Sequence, residues 1–123
     1  MKHFVISLNG GPHSLATVCD DLAKNAINIA AVTTDGRNIK IVTADDRSTR
    51  EILNRAKLVF SEEEIASVKL PDRPGELAKF LKILSKNKVD VGALYVLERD
   101  THRGETVLAM KVNDLEKLKQ IVK

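Results

Sequence analysis

The sequence predicts an α+β fold: two successive units of one pattern, each an antiparallel sheet with helices on one face. Three observations predict it. The 123-residue chain repeats itself across a turn, a helix and a strand. Its apolar residues switch between the period of two that marks a half-buried strand and the 3.6-residue period of an amphipathic helix. No apolar run approaches the ~20 residues of a membrane span.

The repeat is gapless. Residues 11–32 align with residues 73–94 at a constant offset of 62, since 74 − 12 = 62. Pro12 falls on Pro74, Leu15 on Leu77, Ala16 on Ala78, Leu22 on Leu84, Asn25 on Asn87 and Ala31 on Ala93. The helix stripe Leu15, Val18, Cys19, Leu22 matches Leu77, Phe80, Leu81, Leu84, both at the i, i+3, i+4, i+7 spacing of one buried face. Self-similarity of this kind marks a duplication.

In the first half, His3–Leu8 alternates as a strand, Pro12–Asn25 reads as a helix and Ile27–Thr33 as a second strand. Asp35-Gly36 is a hairpin turn, with Ile39–Thr43 returning. Asp46 is placed to cap a second helix running to Ala56. Leu58–Phe60 is a short last strand, and Ser61–Glu64 (SEEE) reads as a solvated linker. The order βαββαβ is the ferredoxin-like arrangement. The second half repeats it with strand Ile65–Leu70, helix Pro74–Asn87, strands Val89–Leu97 and Thr106–Val112, and helix Leu115–Val122. Its hairpin, Arg99–Gly104, is six residues longer, with Ile39 matched to Val107 at an offset of 68, and its last strand is missing. The units are expected at 1–61 and 62–123.

Composition narrows the function. Hydrophobic residues make up 43%, enough for a real core, and the net charge is +3. The lysines are dispersed, Lys79, Lys82 and Lys86 forming the outer face of one helix, and 3% aromatics without Trp leave almost nothing on which to stack bases. No nucleic-acid partner is expected, and no membrane. Cys19 is the only cysteine, so no intrachain disulfide can form. The start, MKHFVISLNGG, lacks the long apolar stretch of a signal peptide. A cytoplasmic protein is expected.

The stretch Asp72–Ala78, DRPGELA, puts a tight turn where a strand hands over to a helix. Pro74 suits the first helical position, its φ already helical. Gly75 removes side-chain bulk, so that a ligand can approach the backbone. Free amides and the helix dipole favour an anion there; the same pair also serves simply to start a helix. Asn28 and Asp90, related by the offset of 62, begin the next strand in each half. A short polar side chain there can accept from an ammonium, and can equally be an exposed residue at a strand start. Asp72 would compete with a carboxylate unless it caps the helix or faces the ammonium.

The stretch DRPGELAKFLKILSKNKVDVGALYV resembles the first half of an ACT domain, with Pro-Gly-x-Leu followed by Val89-Asp90-Val91. The whole chain resembles small free-standing tandem ACT proteins. The resemblance implies a ligand-binding module for free amino acids, with the ligand between the first loop of one module and a neighbouring module. It would gather Asp72, Arg73, Gly75 and Asp90 at one site, and Asn9, Gly10, Gly11, His13 and Asn28 at the other. The first half departs from the pattern, its glycines preceding Pro12 and His13 standing where Gly75 stands.

No catalytic set is visible. No P-loop or GxGxxG occurs, and His3, His13 and His102 lack metal-ligand spacing. Cys19 lies on the apolar helix stripe and reads as core. The expectation is a regulatory protein, not an enzyme, without cofactor or metal, that binds an amino acid and signals to a metabolic enzyme or other partner. The alternative is a ligandless assembly module. The missing strand leaves an open sheet edge, from which a homodimer is expected.

Overall fold

The computed structural model describes residues 1–8 and 13–122. The chain divides into two compact units, Met1–Glu64 and Ile65–Lys123, three residues beyond the expected boundary. No helix among the described residues is long and apolar enough to cross a membrane.

The first unit contains β1 (Lys2–Ser7), α1 (Leu15–Lys24), β2 (Ile29–Thr34), β3 (Asn38–Thr43), α2 (Asp46–Arg55) and β4 (Val59–Glu64). Its strands are antiparallel in the order β2-β3-β1-β4, the ferredoxin-like order. Alternation in β1 turns Phe4 and Ile6 to the helices, where they meet Val18 and Leu22 of α1, Ile39 and Ile41 of β3, and Ile52 and Leu53 of α2. Each such side chain, fully buried, contributes about 1.5–3 kcal/mol.

Three local expectations are corrected here. The first helix begins after Ser14. Pro12, its expected start, lies outside the described residues. The Ser14 hydroxyl accepts from the Thr17 amide at 3.2 Å, and Thr17 Oγ1 accepts from the Ser14 amide at 2.8 Å. This reciprocal cap satisfies two donors that would otherwise be orphaned. The second helix is capped by Asp45, not Asp46. Asp45 has the extended backbone a cap requires, and its carboxylate accepts from the Ser48 amide at 3.0 Å.

The third correction is larger. Residues 61–64 are not a linker but the last four residues of the six-residue β4, in register with β1 from Val5↔Ser61 to Lys2↔Glu64. Cations beside the strand make four polar residues acceptable in it. Glu62 accepts from Arg50 Nε and Nη2, both at 2.6 Å, and from Lys2 Nζ at 2.8 Å. The guanidinium and ammonium hold its carboxyl down at about 2, against an ordinary 4.5. His3 Nε2 meets Glu63 Oε1 at 2.9 Å.

The second unit contains β5 (Ala66–Pro71), α3 (Glu76–Lys86), β6 (Val91–Asp100), β7 (Glu105–Val112) and α4 (Leu115–Ile121). The sheet order is β5-β7-β6, so the expected fourth strand is missing and β5 lies at the edge of its sheet. The core joins Val68, Phe80, Leu84, Val89, Met110, Val112 and Leu118. Ile6 pairs with Ile39 in the first sheet and Val68 with Leu108 in the second. The β7 offset is therefore 108 − 39 = 69, and the hairpin is extended by seven residues rather than six. The extension lengthens the strands more than the turn: β6 has ten residues where β2 has six.

Candidate functional site at the turn of the second unit

Strand β5 ends at Pro71, and the chain folds back before α3. The Asp72 amide donates to the Gly104 carbonyl at 2.7 Å, tying this turn to the tip of the β6–β7 hairpin. Arg73 Nη2 donates to Glu76 at 3.1 Å. The N-cap of α3 is Gly75, at φ 88° and ψ −13°, with no side chain capping the first-turn amides. Pro74 thus precedes the cap rather than opening the helix. A Cβ placed on Gly75 would meet nothing within 4 Å. Glycine is required here by its left-handed φ, not by crowding.

Beneath the turn is a hollow of about 120 Å³. Its floor is laid by sheet register. Leu70, Thr106 and Arg99 stand side by side across β5, β7 and β6, and Val68, Leu108 and Val96 form the next row. Paired residues project to the same face, here the helix face, because Val68 and Leu108's strand-mate Met110 belong to the core side. Leu77 of α3 closes one wall; expected in the buried stripe, it is 38% exposed because it overhangs the hollow at the start of the helix.

Three charged residues line the rim, Asp72, Arg73 and Arg99, of which Arg73 is engaged with Glu76. Asp72 Oδ2 lies 3.8 Å from Arg99 Nη1. Asp72 does not cap α3; its carboxylate faces the Arg99 guanidinium instead. Arg99 is absent from the sequence-derived site. The parity of β6 puts it on the face of Tyr95 and Leu97, away from the helices. A bulge between Val96 and Glu98 reverses that parity and turns Arg99 onto the row of Thr106. The sequence signal was the hairpin extension itself.

The turn thus brings together Asp72, Arg73 and Gly75. It does not bring Asp90. The Asp90 amide donates to Asn113 Oδ1 at 2.8 Å, just beyond the far end of β7, whereas the turn lies beside Glu105. Eight residues at ~3.3 Å each separate those levels by about 26 Å. In the first unit His13 is half-buried before the Ser14 cap, and exposed Asn28 accepts through its carbonyl from the Ala44 amide at 3.1 Å. Asn9, Gly10 and Gly11 lie outside the described residues.

No protein-family model matches this sequence, and no curated protein matches it. Solved structures do. Protein BT0572 from Bacteroides thetaiotaomicron is similar at 20% identity and a TM-score of 0.83, over 98% of this chain and 84% of that one. Aspartokinase alpha and beta subunits are similar at 13% identity and a TM-score of 0.63, over 89% of this chain and 81% of that one. The likeness is one of fold. It is the tandem ferredoxin-like, ACT-like arrangement built up above.

Proposed function

We propose that this chain is an amino-acid-binding regulatory protein whose second unit holds the ligand at the Asp72–Gly75 turn. One observation carries the reading: Asp72 and Arg99 face each other across the rim of a small apolar hollow, beside a helix start with no side-chain cap. Their 3.8 Å separation is too long for a charge-assisted hydrogen bond, which closes at ~2.7–2.9 Å. A zwitterion fits that arrangement, its ammonium on Asp72, its carboxylate on Arg99 and the first-turn amides of α3, and its side chain over Leu70, Leu77 and Leu108.

Asp90 enters such a site only from a neighbouring module. The open edge of β5 gives a second copy a place to dock, and a homodimer that shares its sites is part of the proposal. The first unit's loop, with Asn9, Gly10, Gly11, His13 and Asn28, is the second proposed site. It is the poorer one, because Ser14 already occupies the Thr17 amide. Occupancy is passed to a metabolic enzyme or other partner.

A thermal-shift screen of the common amino acids tests the reading. Ligand at 100 times its dissociation constant stabilises by ~2.7 kcal/mol, which for a unit of this size raises the midpoint by roughly 10 °C or more. Asp72→Asn and Arg99→Gln should each abolish most of that rise. No shift with any amino acid at millimolar concentration would leave the ligandless assembly module as the reading.

A further inference from the structure

Leu77 and Val96 are large apolar side chains left 38% and 51% exposed, and both line the hollow beneath the turn. Neither belongs to the buried core of the second unit. The first unit treats the same two positions differently. Leu15, at the offset of 62 from Leu77, packs against the first core. Thr34 stands at the same offset from Val96, and it pairs with Ile39 as Val96 pairs with Leu108. The Thr34 hydroxyl donates to the Asn38 carbonyl at 2.9 Å, so that side chain is taken up by the hairpin turn. Thr34 is the last residue of β2, whereas β6 runs on past Val96 to Asp100. The longer hairpin carries its turn away from this position, and an apolar side chain stands there in water. Adjacent exposed apolar groups rimmed by charge mark a binding surface, where scattered single ones do not.

We infer that the ligand carries an apolar side chain, and that Leu77 and Val96 read it. The inference rests on the proposed amino-acid site and names the class of amino acid it takes. With the backbone charges of the ligand held at the rim, its side chain meets Leu70, Leu77, Val96 and Leu108. The hollow opens to solvent, so its lining sets the class of the side chain and not its length. Each methylene that leaves water against such a lining is worth about fourfold in affinity. A hydroxyl or amide in the same place gives up water and meets carbon, which costs affinity. Thr106 also lines the hollow, but at 8% exposure it offers a ligand far less surface than Leu77 and Val96 do. The exposed apolar side chains decide.

The test is titration calorimetry on the full chain with two isosteric pairs, L-valine against L-threonine and L-leucine against L-asparagine. In the wild type the apolar member of each pair should bind about five- to twentyfold more tightly. Val96→Thr, which keeps the shape and adds a hydroxyl, should cut both ratios by about threefold or more, through weaker binding of valine and leucine. Val96→Ile, which keeps the apolar surface, should keep both ratios. Val96 is half-exposed, so both variants should fold as the wild type does, which their melting curves check. Threonine as tight as valine, or asparagine as tight as leucine, would overturn the inference and leave the amino-acid site standing. So would ratios that Val96→Thr leaves unchanged. Binding of no amino acid at all would overturn the inference and the site together.

Discussion

Glu62 offers the most direct check on how the first unit is held together. It is a single carboxylate on β4 facing two cations, Arg50 from α2 and Lys2 from β1. Its carboxyl is held at about 2 instead of 4.5. At 1.36 kcal/mol per unit, that depression corresponds to a ceiling of about 3 kcal/mol. The side chains are 22% exposed for Glu62 and 36% for Arg50, so solvent screens part of it. A contribution on the order of 1–2 kcal/mol is left. The sign follows from the direction of the shift. A depressed carboxyl stabilises the fold fully above its unfolded value of 4.5, and the contribution is lost as pH falls from there towards 2. Glu62→Gln should therefore lower stability by ~1–2 kcal/mol at pH 7. The gap between wild type and variant should shrink by more than half between pH 5 and pH 3. Urea unfolding followed by circular dichroism at several pH values measures that gap, and taking the difference cancels the other carboxylates. A gap that stays constant down to pH 3, or none at pH 7, would refute the assignment of this ion pair as a strut of the sheet.

Gly75→Ala should cost ~1–3 kcal/mol through its left-handed φ of 88°, with Gly75→Asn costing less, as read from chemical unfolding midpoints. Asp72→Asn should weaken binding of an amino acid more than binding of the matching carboxylic acid without the ammonium; equal losses by calorimetry would remove Asp72 from the ammonium. Sedimentation at micromolar concentration should give twice the 13.6 kDa of one chain, and a persistent monomer would end the edge-pairing proposal. Asp90→Ala should weaken the ligand only under conditions where that dimer forms, because within one unit Asp90 lies at the far end of the sheet from the turn.

The periodic elements were legible because burial imposes its period on the sequence. The stripe through Val18 and Leu22 and the alternation through Phe4 and Ile6 point to the core they form. What stayed hidden had local physical causes. β4 carries Ser61–Glu64, which no burial pattern marks; it holds its place through cations on β1 and α2 that lie far off in sequence. The start of α3 depends on the sign of one φ angle, which Pro-Gly leaves open. Arg99 reads as the start of the hairpin turn in the sequence, but β6 runs on to Asp100 and one bulge sets Arg99 on the row of Thr106. Asp90 shows a different limit. A constant offset of 62 identifies equivalent positions in two repeats, but equivalence does not bring a residue near the turn of its own unit.

The two repeated helices begin differently: α1 closes its first turn with Ser14 and Thr17, and α3 has no such closure. In amide exchange, Thr17 should therefore be protected in the free protein, whereas in α3 the Glu76 amide is held by the Arg73 carbonyl and those of Leu77 and Ala78 should exchange early. A segment already held at full order has nothing left to gain from a bound molecule. The uncapped turn of α3 keeps that margin, and a carboxylate arriving there can convert occupancy into rigidity along the helix that follows. On the proposed reading, one duplicated helix serves as fixed scaffold and the other as the part that responds.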